Sequence, residues 1–183
     1  LVILLVLYIV HENYRRDQEL MKYAQTDALT GLYNKETTKL RTDEILSTDK
    51  DMIHAFLILD MDCFKQINDG YGHAVGDIVL QKFGQLLRDI FREDDIVGRI
   101  GGDEFVVVMK NIKMKEMAIA KAEELLTKTQ QYEIKELNGS AISISIGIAM
   151  APEDGNCYMD LYKRADQALY QAKRSGKARV CGY

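Results

Sequence analysis

The chain has 183 residues, 47% of them hydrophobic, with one proline and a formal net charge of −4. That is one ordinary domain with a short extension and enough apolar residues for a substantial core, and it excludes a disordered, linker-rich chain. The acidic balance excludes a surface that binds nucleic acid as a whole, so any basic site is local. The odd, widely spaced set Cys63, Cys157 and Cys181 fits neither a disulfide framework nor a CxxC zinc site and points to a reducing compartment.

Leu1 to Val10 are all apolar. About 20 such residues are needed to cross a bilayer, so 1–10 reads as the end of a truncated transmembrane helix. A buried helix end or a signal-peptide core would look alike; Arg15 and Arg16 close behind favour the membrane reading, as basic residues do on a cytoplasmic flank. Residues 11–25 are polar and helix-favouring, with Glu12 and Arg16 spaced for an i,i+4 pair. Met21 and Ala24 share a stripe beside Leu20 and Tyr23. The segment reads as a connecting helix that pairs with its twin in a second copy, although one stripe over so few turns is a weak coiled-coil signal.

In Asp27-Ala28-Leu29-Thr30-Gly31-Leu32-Tyr33-Asn34, Asp27 and Thr30 suit a turn or cap and Gly31 breaks the helix. Asn34 and Lys35 open a helix to about Ser47, with Leu40, Ile45 and Leu46 as its apolar side. Ile53 to Asp60 is a short apolar run that reads as a buried strand. It ends on Asp60, with Asp62 two residues on, and the end of a buried strand is the usual place for a site on an α/β sheet. His54 reads as a strand-edge residue rather than a ligand. Gly70, Gly72 and Gly76 break Phe64 to Asp77 into a loop rich in donors and acceptors. A long helix follows, with Ile78, Val79, Phe83, Leu86, Leu87 and Ile90 at helical spacing. His73 has no second His nearby and is expected to make a structural hydrogen bond.

Ile96, Val97 and Ile100, then Phe105 to Met109, flank Gly101-Gly102-Asp103-Glu104 as a β-hairpin. The glycines permit close approach of another molecule to the backbone. Asp103 and Glu104 sit at the tip, where adjacent carboxylates repel unless solvent or a cation neutralises them. By itself the tetrapeptide reads as a plain turn with solvated acids. Met114 to Gln130 is an Ala- and Glu-rich helix. From Ala141 to Met150 the residues alternate, Ile142, Ile144, Ile146 and Ile148 on one face and Ser143, Ser145 and Gly147 on the other, as in a half-buried strand. Its small face would let another element pack closely. Tyr158 to Arg174 is the last helix, with Leu161, Ala165, Ala168, Leu169 and Ala172 inward. Lys173, Arg174, Lys177 and Arg179 then make a basic end, which suits either a phosphate anchor or cations at a helix C-terminus. Arg179 to Tyr183 closes as a short strand.

If the strand ends carrying Asp60 and Asp103 are neighbours in a sheet, they form a hard oxygen site for Mg²⁺. Paired ions of that kind serve phosphoryl or nucleotidyl transfer. No GxxxxGK[ST] loop is present, which speaks against a P-loop NTPase.

Taken together, Asp27-x-Leu-Thr-Gly-Leu-Tyr-Asn34, Asp60-x-Asp62-x-Phe-Lys-x-Ile-Asn-Asp-x-Tyr-Gly-His-x-x-Gly-Asp77, Gly101-Gly102-Asp103-Glu104-Phe105 and Ala168-Leu-Tyr-x-Ala-Lys173 resemble the motifs of GGDEF-domain diguanylate cyclases. The resemblance runs from about Thr26 to Tyr183, which makes 26–183 the catalytic domain. It implies an α+β, polymerase-palm or nucleotidyl-cyclase-like fold: a central, mostly antiparallel five-stranded sheet flanked by helices, after the connecting helix. It implies condensation of two GTP into cyclic di-GMP with release of two pyrophosphates, across a homodimer. By matched position, Asp60, Asp103 and the Met61 carbonyl hold Mg²⁺, or Mn²⁺, and Glu104 is a further metal or base candidate. Asn68 and Asp77 read the guanine edge; Lys65 and Lys173 contact the triphosphate, with Gly101, Gly102 and Lys177 also on the substrate side. Arg92 and Asp95 match an RxxD site at which the product inhibits. The implied setting is a cytoplasmic domain anchored to the bacterial inner membrane. Lys177 and Ala178 stand where the family often has Arg and Asn; Lys keeps the charge without the bidentate fork. Ala28 replaces a frequent Pro. Two other readings remain: a degenerate domain that senses GTP or cyclic di-GMP without catalysis, and a membrane-tethered interaction module.

Overall fold

The computed structural model describes residues 10–12, 15, 25–139 and 141–183. The readings of 1–10 as a membrane-helix end and of 11–25 as a connecting helix fall almost wholly outside them. Among the described residues, Arg15 lies 3.7 Å from Glu12 on an exposed face, and no helix is long and apolar enough to cross a membrane.

The elements follow in the order α1 (Lys35–Thr48), β1 (Ile53–Met61), α2 (Phe64–Tyr71), α3 (His73–Ile90), β2 (Ile96–Arg99), β3 (Glu104–Ile112), α4 (Lys115–Gln131), a 3₁₀ turn (Lys135–Leu137), β4 (Ile144–Ala151), α5 (Tyr158–Arg174) and β5 (Val180–Gly182). The strands form a five-stranded sheet in the order β2-β3-β1-β4-β5. Every pairing is antiparallel except β4 with β5, so the mostly antiparallel α+β expectation holds.

β1 is central and its apolar run is buried on both faces from His54 onward. One face packs on α3 and α4 through Leu57, Leu59, Phe83, Leu87, Phe105 and Leu125. Phe83 meets Phe105 edge-on at 4.9 Å. The other face packs on α1 and α5 through Leu46, Phe56, Ile58, Val106, Leu161 and Leu169. A helix layer on each side of one sheet is the layered solution that buries both faces.

Five local expectations are corrected. The inner side of α1 is Thr37, Thr38, Thr42 and Leu46, while Leu40 is 67% exposed. Thr38 and Thr42 can be buried because Thr38 Oγ1 donates to Asn34 O and Thr42 Oγ1 to Thr38 O, each at 2.7 Å, which satisfies both hydroxyls locally. The stretch 64–77 is helical on both sides of Gly72, whose φ of +87° makes the break. Gly76 lies inside α3 for a tertiary reason: a Cβ there would collide with Asn68 Oδ1. β4 is buried on both faces rather than one, because Gly147 lets α5 lie flush on it; a Cβ at Gly147 would strike Ala165 O and Leu169 N. His54 lies in the central strand and is buried, with Nε2 3.3 Å from Asp49 O. His73, expected to make a structural hydrogen bond, is exposed at the first position of α3.

Candidate active site

The antiparallel register places Asp60 opposite Glu104 on β3 and opposite Ser145 on β4. Met61 N donates to Asp103 O at 3.3 Å, so the hairpin tip is stitched to the end of β1. Asp60, Asp103 and Glu104 therefore converge at one end of the sheet. Lys173, in the last turn of α5, meets them there, with Nζ 2.7 Å from Asp60 Oδ2.

The electrostatics of this corner are costly for the acids. Burial pushes the Asp60 carboxyl above its ordinary range; the Lys173 hydrogen bond and charge oppose the rise, and Asp103 and Asp62 add to it. Burial also raises Glu104, followed by the negative charge of Asp60, with Lys173 again opposing. Such a corner favours a cation. Among the described residues no three His, Cys, Asp or Glu side chains gather closely enough to hold a metal alone. The donor set suits Mg²⁺, which is commonly bound by one or two carboxylates and completes its shell with water and phosphate oxygens. A cleft of about 770 Å³ opens beside Glu104 and Lys173, walled by Asp166, Tyr170 and Arg174.

The loop after α5 closes the basic side. Gly176, Lys177 and Ala178 have φ of +113°, +61° and +48°. Lys177 Nζ lies 3.2 Å from Cys63 Sγ, just past the end of β1, and this exposed lysine is raised by that contact. Across the β1–α2 turn, Asn68 is half-buried against Gly76, whereas Lys65 and Asp77 are exposed. Asn68 and Asp77 thus belong to α2 and α3, which flank Gly72.

Arg92 and Asp95 border a separate cavity of about 560 Å³ lined also by Gly31, Tyr33 and Arg88. Asp95 is buried; Oδ2 accepts from Arg92 N at 3.1 Å and Oδ1 from Lys110 N at 3.0 Å.

A family model described as diguanylate cyclase, GGDEF domain, matches residues 24–179. The chain belongs to the GGDEF diguanylate cyclase family. Diguanylate cyclase DgcS of Shewanella oneidensis is 36% identical over 168 residues, covering 90% of this chain and 55% of DgcS. Response regulator PleD of Caulobacter vibrioides is 36% identical over 168 residues, covering 88% of this chain and 37% of PleD. The chain thus spans only about half or less of these relatives. The solved GGDEF domain of TpbB (YfiN) from Pseudomonas aeruginosa superposes with a TM-score of 0.80 at 35% identity, over 86% of this chain and 93% of that one.

Two features of this GGDEF domain escape a reading of its motifs one at a time. Arg99 Nη1 donates to both Asp27 oxygens at 3.1 Å, while Nε and Nη2 donate to Gly102 O at 3.0 and 2.8 Å. Asp27 also accepts from Thr30 N and Oγ1 at 2.8 and 2.7 Å. The first motif therefore holds the signature loop through an arginine that belongs to neither. The second feature is Asp62, whose oxygens accept from Ser143 Oγ at 2.6 Å, Ser145 Oγ at 2.7 Å and Ala178 N at 3.1 Å. Its position beside Asp60 was visible; its partners, more than 80 residues away, were not.

Proposed function

We propose that this GGDEF domain is an active diguanylate cyclase: it condenses two GTP into cyclic di-GMP and releases two pyrophosphates. The observation that carries the reading is the convergence of Asp60, Glu104 and the Asp103 backbone at one sheet end beside Lys173. Asp60, Asp103 and the Met61 carbonyl hold Mg²⁺, with Mn²⁺ an alternative of the same hard-oxygen chemistry. A bound divalent ion supplies charge neutralisation at the phosphates and lowers the pKa of the attacking hydroxyl.

The protein's own groups do the rest. Asn68 and Asp77 bind the guanine edge; an Asp accepts from both guanine N–H groups, a donor pair that adenine lacks. Lys65, Lys173 and Lys177 hold the triphosphate, and Gly101 and Gly102 let it approach the backbone. Lys173 neutralises Asp60 in the resting site and turns to phosphate when substrate arrives. Glu104, with its raised proton affinity, accepts the 3′-hydroxyl proton or joins the metal set. Each 3′-oxygen attacks the α-phosphorus of the other GTP, one phosphodiester bond forms per attack, and pyrophosphate leaves. One domain holds one GTP, so the working unit is a homodimer met face to face. Arg92 and Asp95 form a product-binding site through which cyclic di-GMP inhibits. The apolar run 1–10 supports attachment of this cytoplasmic domain to the inner membrane.

The test is incubation of the 183-residue chain with GTP and Mg²⁺ and mass detection of products. Cyclic di-GMP with pyrophosphate is expected; GTP binding without turnover would favour the sensor reading instead.

A further inference from the structure

The loop 175–179 has an unfavourable backbone for its sequence. Lys177 and Ala178 are both in the left-handed region at φ +61° and +48°, a conformation that any residue with a Cβ disfavours and that Gly, or less readily Asn, accepts. Such geometry persists only where its surroundings over-determine it. Here the Ala178 amide, exposed by two successive left-handed residues, points at Asp62 Oδ2, 3.1 Å away. The chain supplies the acceptor for this one amide from its own β1–α2 turn.

Asp62 is itself over-determined. It is only 8% exposed, and Ser143 Oγ and Ser145 Oγ donate to its two oxygens. Its backbone N–H donates to Ser143 O at 2.8 Å. The loop is further tied by Lys177 N to Ala172 O at 3.1 Å and by Ile146 N to Arg179 O at 2.9 Å. Neither tie touches residue 178.

We infer that Asp62 is a positioning residue: as a hydrogen-bond acceptor it clamps the strained turn at Ala178, so that Lys177 is held over the β1–α2 turn where the triphosphate binds. The inference rests on the proposed role of Lys177 in the cyclase reaction. Asp62 holds the turn through its acceptor geometry, since hydroxyls and an amide use both oxygens; the charge it adds at Asp60 is a separate effect, which Asp62→Asn removes while keeping the acceptor.

Four forms of the chain are compared for GTP turnover and melting temperature: wild type, Asp62→Ala, Asp62→Asn, and Asp62→Ala combined with Ala178→Asn. Asp62→Ala removes every acceptor and is expected to raise KM for GTP at least threefold, with a smaller fall in kcat. Asp62→Asn keeps an oxygen for Ala178 N–H and Ser143, and its amide donates to Ser145 Oγ, so it stays close to wild type. Ala178→Asn lowers the intrinsic cost of the left-handed turn and recovers part of the lost KM. An Asp62→Asn enzyme as impaired as Asp62→Ala, or an unshifted KM in Asp62→Ala, would overturn the clamp. If Asp62→Ala does not fold, or wild type turns over no GTP, hydrogen–deuterium exchange at the Ala178 amide decides. Protection in both wild type and Asp62→Asn supports the clamp, and exchange at the rate of an unstructured peptide overturns it. Absent turnover in wild type sinks the cyclase reading alone.

Discussion

Arg99 spans 72 residues of sequence to place Nη1 3.1 Å from both oxygens of Asp27, while the rest of its guanidinium holds Gly102 O. One planar fork thus joins the turn that enters the domain to the loop that carries the acids. Lysine has the charge but not the fork. Arg99→Lys is expected to lower GTP turnover about tenfold, equivalent to about 1.4 kcal/mol in the barrier, while the far-ultraviolet spectrum stays native. Turnover within twofold of wild type would show that the signature loop keeps its shape unaided.

The same pair sets a pH dependence. Burial raises the Asp27 carboxyl, but hydrogen bonds from the Thr30 hydroxyl and amide and from Arg99 outweigh it, and the net shift is downward from 3.8. A carboxyl with a depressed folded pKa binds fewer protons folded than unfolded. Its contribution to stability is therefore present above the unfolded value and is lost as pH falls through the folded value. Wild type should lie above Asp27→Asn in urea midpoint at pH 6, and the gap should close in the acid range below 3.8. A gap that is constant with pH would assign the effect to packing.

Asp103 contributes its backbone carbonyl, not its side chain, to the stitch with Met61. Asp103→Asn should therefore keep the melting temperature within a few degrees and abolish synthesis. Wild-type turnover of this variant at saturating Mg²⁺ would remove Asp103 from the metal set.

Arg92 and Asp95 differ as probes of product inhibition. Arg92→Ala empties a side chain from the cavity and is expected to relieve inhibition by added cyclic di-GMP without lowering the initial rate. Asp95→Ala strands the Arg92 and Lys110 amides, each worth about 1–3 kcal/mol when left unsatisfied, so it should lower the melting temperature before it reports on inhibition. Equal inhibition of wild type and Arg92→Ala would leave 92–95 as a turn only.

Asp77 is exposed at the start of α3, free to meet a base edge. With GTP and ATP offered at equal concentration, product should form from GTP alone. Replacement by Ser should narrow the difference. Comparable turnover of the two nucleotides by wild type would dissociate Asp77 from base selection.

The strands, the hairpin and α5 were legible because each writes its period or its run into consecutive residues. The misread parts depended on what lies opposite. α1 hides its inner face in threonines, of which Thr38 and Thr42 satisfy their hydroxyls locally. Gly70, Gly72 and Gly76 look alike in sequence, yet Gly72 alone of the three has a positive φ, and Gly76 serves Asn68. The small face of β4 announced that another element could pack closely on it, but nothing local told that the element is α5 or that the strand is buried on both faces. At the site, Asp60, Asp103 and Glu104 could be picked out from strand ends, whereas Arg99 and Asp62 act through partners that only the tertiary fold supplies.

Gly147 carries a consequence beyond packing. Because backbone touches backbone where α5 crosses β4, the helix lies as near the strand as its backbone allows, and its last turn brings Lys173 to Asp60. A larger side chain at 147 would lift α5 off β4 and carry Lys173 away from Asp60, so one absent methyl on the strand sets how near the cation stands to the acids.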